Sequence, residues 1–412
     1  MTPRRVVITG IGAVTPIGTG RAGLWQGVRA GRSAVRRITR FDPAPFASQV
    51  AAEVNDFDVL DFVDARRARR LDRFAQFALA SGRLALEDAG LEITADRRET
   101  TGVYIGSALG GVAYAEEQHA SFLNGGLRGV SPALALAVFS GAGACNVAMD
   151  LGITGPATGN ANSCASGAMA IGEAFRAIRG GEVAAAIAGG VEAPLAPLTF
   201  GAFALIKAMS TANSCPEQAS RPFDAARDGF VMAEGAALLV LEAWESAERR
   251  GAQVYGEVLG YATTNDAHHM TAPLPSGEQA ARAVTRALDD AGVAPEEIEY
   301  VNAHGSSTPL NDKTETLVFR KALGAAAEQI PISGTKGLHG HALGASGAFE
   351  AAICALVLKN GWLPPTTNLV NPDPECDLEY ISGEGRACRP RRVLSTSFGF
   401  GGINAALVLS RV

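Results

Sequence analysis

The stretch Gly159-Asn-Ala-Asn-Ser-Cys164-Ala-Ser-Gly-Ala168 places one cysteine between an irregular Gly/Asn/Ser run and a small-residue helical segment reading Ala165 to Arg179. A helix that starts there leaves unpaired N–H groups beside Cys164, and these, with the macrodipole, favour negative charge. A thiol so placed is expected to have a lowered pKa and to serve as a nucleophile. The ordinary alternative is a small buried thiol with no chemistry. The rest of the chain has to decide between them.

With 412 residues, the chain is long enough for two or three average domains or for one large α/β unit. Hydrophobic residues make up 47% and charged residues 19%, the balance of a globular protein, and the abundant glycines point to many tight βα turns. The N-terminus runs straight into a strand without the apolar stretch of a signal peptide, and no run of 18 or more apolar residues appears, so a cytoplasmic protein is expected. The six cysteines form no CxxC pair, which favours reduced structural thiols over disulfides or zinc. A net charge of −6 argues against nucleic acid as a partner, although Arg66-Arg-Ala-Arg-Arg70 and Arg73 form a local basic cluster that suits either an acidic partner or a solvated helix face.

Taken in order, Arg5 to Ile11 reads as a β-branched strand ending in the turn Gly10-Ile-Gly12, which lacks the third glycine and acid of a dinucleotide fingerprint. Residues 20–60 read as a Pro-containing surface excursion, and Ala65 to Ala89 as one helix capped by Gly90. Strands are expected at Thr101–Gly106, Val183–Gly190, Ala237–Leu241, Ile298–Ala303 and Val393–Thr396. Two segments then repeat. Ala85-Leu-Glu-Asp-Ala-Gly-Leu91 is echoed by Ala287-Leu-Asp-Asp-Ala-Gly-Val293, and Ala165-Ser-Gly-Ala168 by Ala345-Ser-Gly-Ala348. The order of these echoes implies a duplicated βα unit, with halves spanning residues 1–252 and 253–412 and sharing a rigid interface.

His304 and His341 lie in Gly-rich loops that follow expected strands, in Asn302-Ala-His304-Gly-Ser and in Lys336-Gly-Leu-His-Gly-His341. Ligands bind at the carboxyl ends of strands in parallel α/β sheets, so such loops can converge on one site. Cys164, His304, His341 and Lys336 are therefore candidate neighbours.

Asn-Ser-Cys164-Ala-Ser-Gly, Asn302-Ala-His304-Gly-Ser-Ser-Thr-Pro-Leu-Asn-Asp312, Gly340-His341-Ala-Leu-Gly-Ala and Ser397-Phe-Gly-Phe-Gly-Gly402 together resemble the β-ketoacyl-acyl carrier protein synthases, in their type II, FabF-like branch of the thiolase superfamily. The resemblance covers essentially the whole chain. It implies an α/β, duplicated thiolase-like fold of five layers, αβαβα, with two mostly parallel mixed sheets. It implies an acyltransferase that performs a decarboxylative Claisen condensation of a malonyl thioester with an acyl chain held on Cys164. His304 and His341 stabilise the enolate, Lys336 organises the site, and the backbone N–H groups of Cys164 and Phe400 form an oxyanion hole with Phe400 as the gate. By the same resemblance Ser306, Thr308 and Thr271 hold the pantetheine arm, Leu109 and Phe203 line the acyl pocket, and Arg69, Arg70 and Lys207 dock an acyl carrier protein. No cofactor is implied beyond the carrier's phosphopantetheine. A monovalent cation site at Asn302, Glu350, Ser395 and Thr396 goes with the same pattern, as does a homodimer or a heterodimer with a chain-length-factor homologue, with neither nucleic acid nor membrane as partner.

The sequence departs from the usual pattern at Asn162-Ser163, Ser306, Gly334, His339 and Ile403, and Ala133-Leu-Ala-Leu-Ala137 is smaller-sided than expected near the acyl pocket. These changes remove no catalytic group, but they leave fatty-acid elongation and a specialised type II polyketide or polyene pathway equally open. A chain-length-factor-like subunit without catalysis is disfavoured by the presence of Cys164, and a thiolase by the two histidines.

Overall fold

In the computed structural model, which describes residues 3–412, ten principal strands carry the fold. Five come first: β1 (Val6–Thr15), β2 (Thr101–Gly106), β3 (Ala157–Asn160), β4 (Ala185–Glu192) and β5 (Gly235–Ala243). Five follow: β6 (Gly256–Asn265), β7 (Tyr300–Asn302), β8 (Ile332–Ser333), β9 (Arg392–Gly399) and β10 (Ile403–Ser410). The first set lies in the order β3-β2-β4-β5-β1 and the second in the order β8-β7-β9-β10-β6. Each strand of the second set thus takes the place of the strand five before it.

Directions repeat as well. β2 runs parallel to β3 and β4, and β7 parallel to β8 and β9. The pairs β4–β5, β5–β1, β9–β10 and β10–β6 are antiparallel. The duplication expected from two short echoes is present as a complete repeat of sheet topology. A short antiparallel pairing of β1 with β6, Val6 to Val258 through Ile8 to Gly256, joins the two sheets edge to edge.

Five helices make the layers: α1 (Arg73–Ala89), α2 (Ser166–Gly180), α3 (Glu278–Ala291), α4 (Pro309–Leu323) and α5 (Ser346–Asn360). Successive strand residues face opposite sides, and on β5 both sides are apolar. Ala237, Leu239 and Leu241 pack with Ile171 and Phe175 of α2 and with α5, whereas Ala236, Leu238 and Val240 pack with Phe74 and Phe77 of α1. On β10, Ala405, Leu407 and Leu409 enter the α2/α5 core, while Ala406 and Val408 meet Val284 of α3 and Phe319 of α4. So α2 and α5 are sandwiched between two sheets that are covered outside by α1 and by α3 with α4, which is the αβαβα arrangement. The position of α5 explains its composition. The segment Leu343–Asn360 is apolar and long enough to cross a membrane but is 89% buried inside the protein, as a helix with neighbours on every side must be.

Three expectations change. The strand that begins at Val6 does not turn at Gly10-Ile-Gly12 but runs on to Thr15, because those glycines let α1 lie directly on β1. A Cβ on Gly12 would sit 1.9 Å from the Ser81 carbonyl oxygen, and one on Gly10 would sit 2.2 Å from that of Ala85. The segment 65–89 is two helices rather than one, since Asp72 accepts from the Ala75 N–H and restarts the helix as an N-cap after Arg69–Leu71. Residues 20–60 are not a surface excursion throughout: Leu24 and Val28 of the helix Gly20–Ala30 are buried, as are Val50, Ala51 and Ala52.

Gly12→Ala is expected to lose at least about 2 kcal/mol of stability, because the clash is with backbone rather than with a movable side chain. Chemical denaturation of the purified variant measures this, and an unchanged midpoint would show that α1 and β1 separate more easily than the packing implies.

Candidate active site

The two central helices begin alike. Short one-turn segments, Ser163–Ala165 and Leu343–Ala345, lead into α2 and α5, and each opens on a non-glycine residue in the left-handed region, Ser163 at φ 49° and Leu343 at φ 41°. Such strain persists only where the surroundings enforce it. Here the tight elbows bring both helix starts to the same place, with Gly167 packed against the Gly344 carbonyl so closely that a Cβ would lie 2.8 Å from it. Cys164 sits at the first elbow, and His341 just precedes the second. Their contact is His341 Nε2 to Cys164 Sγ at 3.1 Å.

His304 lies in the loop between β7 and α4, and its ring stands edge-on to that of His341, with centroids 5.3 Å apart at 84°. Glu315, within α4, accepts from the His304 N–H at 2.7 Å, from the Gly305 N–H at 2.8 Å and from the Thr396 hydroxyl at 2.8 Å, which pins the loop. Behind His304, the fully buried Lys336 ammonium donates to His304 Nδ1 at 3.3 Å, to the His304 carbonyl oxygen and to Glu350. An ammonium has no acceptor, so His304 Nδ1 must be bare and its proton sits on Nε2.

Burial, the nearby Lys336 charge and the other imidazole hold His304 well below the usual histidine range, and burial and Lys336 with His339 do the same for His341. Both rings are neutral near pH 7. Burial also raises Glu350 to about 7 and Glu315 to about 7, against the pull of Lys336 on the first and of the Gly305 N–H on the second. The thiol departs from the sequence expectation. Burial pushes Cys164 up to about 12, outweighing the Lys336 charge and the Phe400 N–H that act to lower it. The sulfur is packed in a cluster with Leu195, Phe200, Phe230, Met232 and Leu343, and this desolvation exceeds what the helix terminus supplies. Cys164 therefore rests as a thiol.

A cavity of about 350 Å³ opens over the sulfur. Cys164, His304, His341 and Phe400 line it, together with Leu109, Phe203, Lys207, Thr271, Ser306 and Thr308. Phe400 stacks on Phe203 at 6.4 Å, Phe203 meets Phe230 at 6.1 Å, and Phe230 meets the His341 ring at 5.4 Å, so aromatic contacts run from the Phe400 loop to His341. Gly399 permits this loop to lie on Cys164, because a Cβ there would come within 3.1 Å of the Cys164 nitrogen. Arg69 and Arg70 are exposed and do not line the cavity. Their neighbours Arg67 and Arg73 are paired with Asp150 and Glu234, so only part of the basic cluster remains for a partner.

The cation candidates divide. Asn302 Oδ1, Glu350 Oε2 and Ser395 Oγ are buried without a hydrogen-bond partner, an all-oxygen set that suits a hard cation. Thr396 is different, since its hydroxyl already serves Glu315 and the His304 N–H. Among the described residues no group of three or more His, Cys, Asp or Glu side chains is placed to hold a metal ion.

Residues 3–247 match the family model described as "Beta-ketoacyl synthase, N-terminal domain", and residues 255–370 match "Beta-ketoacyl synthase, C-terminal domain". The chain belongs to the β-ketoacyl synthase family. It is 45% identical to the 3-oxoacyl-[acyl-carrier-protein] synthase 2 of Synechocystis sp. over 99% of this chain and 98% of that one, and 44% identical to the enzyme of that name from Coxiella burnetii over the full length of both. Among solved structures it is similar to the ishigamide ketosynthase/chain length factor (36% identity, TM-score 0.93, 100% of both chains). It is also similar to a chain from a type II polyketide acyl-carrier protein in complex with its ketosynthase bound to the hexaketide (35%, 0.92, 100% of both). The family is one of thiolase-fold acyltransferases, and this ketosynthase shares their reaction, the formation of a β-ketoacyl thioester.

Three residues around the site escaped sequence reading: Glu315, which holds the His304 loop; Ser346, whose hydroxyl lies 2.8 Å from His341 Nδ1; and Glu192, which accepts from the Ala108, Leu109 and Gly344 N–H groups and ties the Leu109 segment to the His341 loop. The acid Glu315 was visible on a helix just after a histidine loop. His339 was visible as a departure and proves to be structural: its Nδ1–H donates to the Gly340 carbonyl at 2.8 Å and its Nε2 accepts from the Thr335 hydroxyl.

Because both imidazoles titrate below the ordinary 6.5, their protons are taken up only in more acid solution. Their neutrality has no cost above pH 6.5 and costs progressively more below it, where the unfolded chain alone binds those protons. The ring C–H resonances of His304 and His341 are expected to stay fixed from pH 8 to about pH 5.5 in NMR titration. A midpoint near 6.5 for either would contradict the buried, Lys336-facing placement.

Proposed function

We propose that this enzyme elongates acyl chains carried on acyl carrier protein, with Cys164 as nucleophile and His304 and His341 as neutral enolate donors. The carrying observation is the meeting of Cys164 Sγ with His341 Nε2 at 3.1 Å beside a second neutral imidazole. Attack of Cys164 on an incoming acyl thioester exchanges one thioester for another, and the thiol proton ends on the departing pantetheine sulfur, so no net base is needed even for a thiol raised by burial. His341 Nε2 and the Phe400 N–H steady the sulfur while the proton moves.

A malonyl thioester then takes the carrier's place in the cavity. Its carboxylate carbon–carbon bond breaks, carbon dioxide leaves, and the electron pair becomes an enolate whose oxygen accepts from the Nε2–H groups of His304 and His341. The enolate carbon attacks the acyl-Cys164 carbonyl. The oxyanion formed there accepts from the N–H groups of Cys164 and Phe400, and its collapse releases the β-ketoacyl carrier and the Cys164 thiolate, which regains a proton from solvent. Lys336 stays behind His304 and keeps both rings neutral, since a proton on either would face a buried cation. A monovalent cation at Asn302 Oδ1, Glu350 Oε2 and Ser395 Oγ would brace the wall behind Lys336 and takes no part in bond making.

Ser306, Thr308 and Thr271 in the cavity wall are assigned to the pantetheine arm, and Lys207, Arg69 and Arg70 to the carrier's acidic face. Dimerisation is proposed through the edge of β3, which is exposed and pairs only with β2; Phe122, Leu127, Leu136, Phe139 and Leu205 are exposed apolar side chains that a partner subunit would cover. We place the enzyme in the cytoplasm and the boundary of its halves near residue 252.

A second reading is a ketosynthase of a type II polyketide or polyene pathway paired with a chain-length-factor partner. It is favoured by Ala133-Leu-Ala-Leu-Ala137, smaller-sided than the bulky segment of the usual pattern, and by the likeness to the ishigamide ketosynthase/chain length factor.

Cys164→Ala is expected to abolish self-acylation, seen as the absence of an acyl mass increment on the intact protein, while malonyl decarboxylation persists. His304→Ala is expected to lower decarboxylation and condensation together by about 100-fold or more. Acylation of the Cys164→Ala protein would overturn the nucleophile assignment. A panel of saturated and polyunsaturated acyl carriers offered with malonyl carrier separates the two pathways by the product formed.

A further inference from the structure

We infer that Ser346 is a positioning residue that fixes His341 as the tautomer bearing its proton on Nε2, the nitrogen that faces Cys164. The inference rests on the reaction proposed above and adds a residue to it. Ser346 is the first residue of α5 and is fully buried. Its Oγ lies 2.8 Å from His341 Nδ1, and neither atom has another hydrogen-bond partner among the described residues. A buried hydroxyl hydrogen without an acceptor is costly. The one acceptor within reach is a bare Nδ1, so the hydroxyl donates and the ring proton is left on Nε2.

The duplicated half makes the assignment sharper. Ser166, the first residue of α2, has the same place in its elbow, and its hydroxyl donates back to the Ser163 carbonyl at 2.7 Å. In the second elbow the corresponding hydroxyl is turned onto the imidazole instead. The same loop also shows the opposite outcome: His339 has a carbonyl, that of Gly340, at its Nδ1, which holds the proton on that nitrogen. His304 and His341 therefore reach the same tautomer by different means, an ammonium donor behind one ring and a hydroxyl donor behind the other. Enolate stabilisation needs both Nε2–H groups aimed into the cavity, and a wrong tautomer on either ring would present a lone pair to the developing negative charge.

The test uses the full-length enzyme labelled with 15N-histidine, with His341 assigned by the signals lost in His341→Asn. Long-range 1H–15N correlation of the wild type is expected to show Nδ1 as the unprotonated and Nε2 as the protonated nitrogen of His341. Ser346→Ala is expected to give a mixture of tautomers and to slow malonyl decarboxylation about tenfold, the loss of one buried hydrogen bond, while self-acylation of Cys164 slows less. Ser346→Thr, which keeps the hydroxyl, is expected to restore the wild-type ring signals. Protonation of His341 on Nδ1 in the wild type, or wild-type ring signals and decarboxylation rate in Ser346→Ala, would overturn the inference. The NMR signals need no substrate, so they report on Ser346 even if His304→Ala were to leave decarboxylation intact and the proposed function itself failed.

Discussion

The structure depends on a contact across its internal repeat: the sulfur at the start of one central helix touches the imidazole that precedes the other. Neither half contains this pair alone. The first contributes Cys164 on α2, and the second contributes His341 before α5, His304 after β7 and Lys336 after β8. What brings them together is the packing of two nearly identical elbows, close enough that glycines at 167 and 347 are required between them. The middle layer of the five-layer sandwich thus holds the molecule together and assembles the site, which is why its helices are built from alanine, glycine and serine where they meet.

Burial sets the electrostatics. Removing water from this junction raises the thiol and the carboxylates and lowers the imidazoles. The fully buried ammonium of Lys336 sits against Glu350 and behind His304. A buried ion pair of this kind is poor evidence for stability, because desolvation offsets the attraction. Here its consequence is chemical: it keeps a second positive charge off the two rings and fixes the proton of His304. The thiol is left protonated at rest, a state that suits thioester exchange, in which one thiol enters and another leaves.

Much of this was legible before any coordinate. The order Cys164, His304, Lys336, His341 and the Gly399-Phe-Gly-Gly402 run marked the site because glycine-rich loops after strands must open at one end of a parallel sheet. The echo of Ala165-Ser-Gly-Ala168 in Ala345-Ser-Gly-Ala348 marked the duplication, and the structure shows why its residues are small: these are the two helix starts that touch. Other features were hidden. Gly10 and Gly12 read as a turn by local chemistry, whereas a helix from far along the chain needed their missing side chains. The raised thiol was hidden too, since desolvation depends on Phe200, Phe230 and Met232, which arrive from distant segments. Glu315 and Ser346 act through a hydrogen bond to a loop and to a ring, and no periodicity signals that kind of role.

The account's central claim is that one enolate oxygen is held between two neutral imidazoles facing the nucleophile. A crystal structure of the enzyme with a malonyl carrier analogue that resists decarboxylation tests it most directly. The account predicts the analogue's thioester oxygen within about 3 Å of Nε2 on both His304 and His341, with its reacting carbon over Cys164 Sγ. A thioester oxygen directed away from both rings, or held by Lys336 instead, would contradict it.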